Sequence, residues 1–225
     1  MRMMLKSNKN NFLLKLKTKF SSLNNNIKKL FTYKNLFIFL LSFLVVNIII
    51  GIIFYFFINN LDKQIIKDNV IKYFTINKEY NFLLLFKDNL INNLFNLIII
   101  WLLGISVIGI VIIIFLFFSE TFSLGFTMSA IMREYGIKGL IGNICYLFPA
   151  KIIYLIAIFL TTFFAIRFSY QIISYLFLKK DNDLQGQMKK YLKMLIIILL
   201  LGIVVSILET FIVPFMIKLF TFFIK

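Results

Sequence analysis

Apolar residues fill this chain in long unbroken runs, and polar residues gather between the runs rather than alternating with them. No charge occurs from 35 to 61. A helix over 36–58 rises roughly 34 Å at about 1.5 Å per residue, enough to cross a hydrocarbon core of about 30 Å. A second uncharged run, 89–119, predicts a span over 94–118, and further spans are predicted over 152–177, interrupted by Arg167, and over 195–217. Residues 119–149 are harder to read, because Glu120, Arg133, Glu134 and Lys138 cut them into apolar pieces of about a dozen residues, each too short to cross alone. They form either a re-entrant or interfacial hairpin, or one crossing that buries polar groups against other helices.

Charge orients the runs. Residues 1–34 hold nine Lys and Arg and no acid, which predicts a basic cytoplasmic N-terminal arm. Its apolar residues Phe12, Leu13, Leu14, Leu16 and Phe20 suit either a basic amphipathic helix on the inner leaflet or a solvated tail. Residues 35–61 then hold the first span, and 62–88, with five Lys against Asp62, Asp68, Glu79 and Asp88, read as an extracytoplasmic loop. Within that loop Ile65, Ile66, Val70, Ile71 and Phe74 recur at helical spacing, predicting a short helix on the membrane or against a partner. Residues 89–225 form a helical membrane domain. Lys179, Lys180, Lys189, Lys190 and Lys193 place the last loop inside, which needs five spans, whereas four would place it outside. Five is the preferred count, with the C-terminus outside.

Composition narrows the chemistry. The chain is 61% hydrophobic and 15% charged over 225 residues, with no His and the single cysteine Cys145. The fold class is therefore all-α, a polytopic helical integral membrane protein. Histidine-based metal sites, histidine general bases and intrachain disulfides are excluded. The net charge of +16 reads as topology and lipid-surface charge rather than nucleic-acid binding. No cofactor and no metal is expected.

With the spans placed, residues from about 101 to 219 resemble the stage II sporulation protein M family. The features are Trp101-Leu-Leu-Gly-Ile, the turn region Gly125-Phe-Thr, Leu147-Phe-Pro149 before the next span, an Arg within that span, and above all Leu208-Glu209-Thr-Phe-Ile-Val-Pro214. In broader relatives the Pro before the fourth span is followed by His-Gly and then a Glu, where this chain has Ala150 and Lys151. The resemblance implies a non-enzymatic membrane scaffold of endospore engulfment. It also implies two peptidoglycan-degrading partners, the stage II sporulation proteins D and P, at the mother-cell membrane around the forespore. Membrane lipids are the other expected partner, and oligomerisation is left open. A small multi-span transporter or channel subunit is the competing class, although no internal repeat is visible.

Five residues carry the intramembrane structural and interaction reading. Glu209 lies deep in an apolar helix, where a carboxylate costs about 2.5 to 3.5 kcal/mol on insertion scales and needs a partner. Gly202, Ser206 and Glu209 fall within about 60° on the helix, a packing stripe. Pro214 removes a backbone donor beside them and predicts a kink. Arg167 is the expected partner of Glu209, counted at a depth difference of roughly 6 Å from the Lys179–Lys193 loop. Lys151 reads as an interfacial anchor, Glu120 as a headgroup residue, and Cys145 as inert packing.

Overall fold

The computed structural model describes residues 33–74, 81–178 and 184–224. The basic arm 1–32, Asn77 and Lys179 to Asp183 therefore lie outside the described residues. The chain divides into two compact units, Met1–Leu41 and Ser42–Lys225. Of the first, the described part is helical, residues 33–41, the opening of α1 (Tyr33–Phe57). The second holds the rest of α1 and α2 (Asn60–Phe74), α3 (Phe82–Leu103), α4 (Gly109–Tyr135), α5 (Lys138–Tyr146), α6 (Ile152–Leu178) and α7 (Leu184–Ile224). Among the described residues, five helical stretches are long and apolar enough to cross a membrane: Tyr33–Phe57, Phe82–Leu103, Gly109–Tyr135, Pro149–Leu176 and Leu184–Phe222. The protein is thus an all-α, multi-pass membrane protein, as its hydropathy pattern predicts.

The crossings do not fall where expected in the middle of the chain. The predicted span 94–118 is the end of α3 and the start of α4, separated by a reversal at residues 104–108. A break inside a lipid-facing run would strand carbonyls at the helix end. Here Ser169 of α6 serves them, its hydroxyl proton shared between Gly104 O at 2.7 Å and Ser106 O at 2.9 Å. Gly104 is required by proximity, since a Cβ there would collide with the Tyr191 hydroxyl and Ala165. Residues 119–149 therefore hold both the second half of a crossing and a helical hairpin: Glu120 lies within α4, Arg133 and Glu134 close its last turn, and α5 folds back on α4, where Asn143 Nδ2 donates to Met128 O at 3.1 Å. Gly136, with φ +56°, ends that helix in a conformation few other residues adopt.

The segment 62–88 is likewise not a plain loop. Its first half is α2, whose Val70 and Phe74 are buried, and Lys87 and Asp88 stand exposed in the first turns of α3. Asn81 caps α3, its side chain accepting from Leu84 N–H. Phe74 packs its ring 4.6 Å from Phe220 of α7 and 5.5 Å from Tyr135 of α4, and Lys67 pairs with Glu134 at 3.3 Å. Together with Tyr55, Ala130, Ile131, Cys145, Val213 and Ile217 these rings form an apolar core at one end of the spans.

Two close approaches organise the remaining packing. A Cβ on Gly51 of α1 would strike Phe122 O of α4, and one on Gly125 of α4 would strike Ile48 O of α1, so two small residues let these backbones meet. On the other side, α5 and α6 run together antiparallel to α7, joined by a π-helical turn at Leu147–Lys151. Pro149 lacks an N–H and crowds the carbonyl four residues back, and the wider turn accommodates it. The Ile152 N–H reaches back to Leu147 O. Pro214 sits buried inside α7, which continues as helix to Ile224.

Candidate functional site

Asn89, Asn93 and Asn96 are spaced by four and three residues and so share one face of α3 around its midpoint. Each meets a polar side chain of another helix. Asn89 donates to Thr210 at 3.2 Å; Asn93 donates to Ser206 at 3.2 Å and to Glu209 Oε2 at 2.7 Å. Asn96 donates to Glu120 Oε1 at 2.8 Å and to the Tyr154 hydroxyl at 3.2 Å. One turn of α1 adds a fourth amide, Asn47, whose Nδ2 donates to Thr121 of α4 at 3.0 Å. A polar layer therefore ties together α1, α3, α4, α6 and α7 at mid-depth, where a hydrogen bond between helices is measured at about 0.6 kcal/mol on average and up to about 1.7.

The charged centre of this layer is Lys151, whose Nζ lies 2.8 Å from Glu209 Oε1 and 5.6 Å above the Tyr154 ring. Lys151 occupies the last position of the π-helical turn. Glu209 thus receives an ammonium on one oxygen and the Asn93 amide on the other.

Arg167 does not pair with Glu209, which corrects the expected partnership. In the antiparallel α6–α7 hairpin Arg167 is about 11 residues before the end of α6, while Glu209 is about 25 residues after the start of α7. Their levels therefore differ by roughly 21 Å at about 1.5 Å per residue. Lys189, Lys190 and Lys193 are already inside α7, so the turn lies further from Glu209 than the cluster of charges suggests. Arg167 stands instead beside Phe168 and Ser169, at the level of Gly104. There Tyr191 lies between Trp101 and Phe168 in a stack with centroids 5.2 and 4.2 Å apart, and its hydroxyl donates to Trp101 O at 2.7 Å.

The other predicted positions are placed as follows. Gly202 faces α3 and admits the Leu94 side chain, and Ser206, bonded to Gly202 O at 2.8 Å, continues the same stripe to Glu209. Pro214 lies one turn further on, in the apolar end. Lys151, read as an interfacial anchor, stands at the start of the span Pro149–Leu176, and it and Glu120, read as a headgroup residue, both belong to the polar layer. Sequence reasoning missed Asn89, Asn93 and Asn96, because asparagine is abundant throughout this chain; their four-and-three spacing inside a hydrophobic run was the available signal. Among the described residues no group of three metal-ligating side chains occurs.

A helical membrane domain whose polar side chains bond helix to helix at mid-depth defines the class. The family described as Stage II sporulation protein M matches residues 37–214, more than half of the chain, so this chain belongs to that family. It is a multi-pass membrane protein of a sporulation family. Neither the curated proteins nor the solved structures hold a significant match to it.

Proposed function

We propose that this protein is a non-catalytic membrane scaffold of the endospore engulfment machinery. It recruits or anchors peptidoglycan-degrading partners, the stage II sporulation proteins D and P, at the mother-cell membrane around the forespore. Family membership supports the sporulation setting. The observation that carries the scaffold reading is the use of the polar layer. Asn47, Asn89, Asn93, Asn96, Glu120, Lys151 and Glu209 bond across helices and hold five spans in register. A rigid frame of this kind presents its ends to partners.

With the basic arm 1–34 inside, the end carrying α2 faces outward. That end exposes Leu61, Ile65, Ile137 and Ile144 around an apolar cleft of about 280 Å³ lined by Ile66, Val70, Tyr73 and Ala130. Peptidoglycan is degraded on that side of the membrane, so this is the end at which hydrolases dock. Affinity purification from sporulating cells tests the proposal: cell-wall hydrolases co-elute with the wild-type chain. Release of muropeptides by the pure protein alone, above a mock preparation, refutes it.

A further inference from the structure

The polar layer contains three ionisable side chains at mid-depth, and their charges do not balance. Glu209 and Lys151 form one complete ion pair at 2.8 Å. Glu120 of α4 is the second carboxylate, and its contacts are of another kind: the Asn96 amide at 2.8 Å and the Tyr154 hydroxyl. Around it, α3 contributes the neutral Asn96, α6 the neutral Tyr154, the π-helical turn Lys151, and α7 Glu209. Helix α1 contributes Asn47, bonded to the neighbouring Thr121. The Lys151 ammonium also acts on Glu120, though at longer range than on Glu209. Two carboxylates thus share one ammonium, a net negative charge in the part of the bilayer where an unbalanced charge costs most.

We propose that Glu120, Lys151 and Glu209 form a single-proton binding site in the middle of the membrane, with the proton resident on Glu120 while Lys151 is paired with Glu209. Binding takes one proton from water onto a Glu120 carboxylate oxygen and leaves the triad neutral; release returns it. The donor set favours a proton over a metal cation. Both amides present N–H rather than C=O to the carboxylates, since Nδ2 of Asn93 and Asn96 are the atoms in contact, and such donors repel a cation. The Tyr154 hydroxyl both donates and accepts, so it serves Glu120 in either protonation state. The position of Lys151 adds a second argument. It ends a π-helical turn, a local rearrangement frequent at functional sites, and that turn sets one ammonium within range of both acids. When the proton leaves, Glu120 competes with Glu209 for Lys151, so proton occupancy bears on the α4, α6 and α7 contacts together.

Infrared absorption of the full chain in lipid nanodiscs at neutral pH tests this through the C=O stretch of a protonated carboxyl group. The wild type shows one such band, lost on raising the pH. Glu120→Gln abolishes it while leaving the Lys151–Glu209 pair intact. Glu209→Gln also abolishes it, because Glu120 then has Lys151 to itself, and Lys151→Gln roughly doubles it. Absence of the band from the wild type overturns the proposal, as does its survival in either Glu→Gln variant. A band that emerges only when sodium is withdrawn overturns it in favour of a metal-cation site.

Discussion

Lys151 and Glu209 are joined by a 2.8 Å ion pair that links the π-helical turn before α6 to the middle of α7. The pair is supported rather than isolated, because Asn93 of α3 fills the second carboxylate oxygen at 2.7 Å. Three segments distant in sequence are thereby fixed at one level, which sets the register of the α6–α7 hairpin against α3.

Removing Lys151 deprives Glu209 of its ammonium, a loss of about 3 to 5 kcal/mol for well-buried pairs. Lys151→Met is expected to lower the steady-state level of the protein sharply, and Lys151→Met with Glu209→Gln to recover much of it. Arg167→Met combined with Glu209→Gln is expected to show no such recovery. Immunoblotting of membranes checks all three, and rescue of the Arg167 variant would contradict the observed pairing.

The three asparagines of α3 are expected to differ in weight. Asn93→Leu removes a hydrogen bond to an ionised group, about 1.5 to 3 kcal/mol, whereas Asn89→Leu removes a neutral bond to Thr210, nearer 0.6 kcal/mol. Thermal unfolding in detergent should rank Asn93→Leu well below Asn89→Leu, with the latter close to wild type. Equal effects would mean that Glu209 does not depend on Asn93.

Glycine substitutions separate close approach from backbone conformation. Gly125→Ala forces a Cβ into the Ile48 carbonyl and is expected to loosen the α1–α4 crossing. At Gly136 a Cβ meets nothing within 4 Å, so Gly136→Ala carries only the positive-φ penalty, about 1 to 3 kcal/mol. Protease sensitivity of the detergent-solubilised protein should rise more for Gly125→Ala than for Gly136→Ala.

Cys145 lies outside the spans and is buried, and burial pushes its thiol above the ordinary cysteine range. The thiolate is therefore scarce at neutral pH and increases only as pH rises, so alkylation of the native protein is expected to be slow at pH 7 and faster at pH 9. In a Cys145→Ala background, a cysteine at exposed Asp62 is expected to react with a membrane-impermeant maleimide in intact cells. One at exposed Lys189 should react only after lysis. Labelling of Lys189→Cys in intact cells would reverse the orientation.

Hydropathy by itself determined that the chain is helical and multi-pass, because a run of about 20 apolar residues has no other way to satisfy its backbone in lipid. The same signal located α1 and the middle of α7, and helical spacing of Ile66, Val70 and Phe74 located α2. The break at 104–108 was beyond it, since apolar residues continue through the reversal and only Ser169, 65 positions from Gly104, makes the open carbonyls tolerable. The partner of Glu209 was beyond it for a related reason. Sequence shows that a buried carboxylate needs a cation, but which cation depends on where the α6–α7 turn falls, and a shift of a few residues moves each side chain by several ångströms. Tertiary structure decided that register through the π-helical turn, which delivers Lys151 to Glu209 and leaves Arg167 about 21 Å away along the hairpin. Local pattern fixes what each helix is, whereas the pairing of polar groups between helices depends on contacts that no single segment contains.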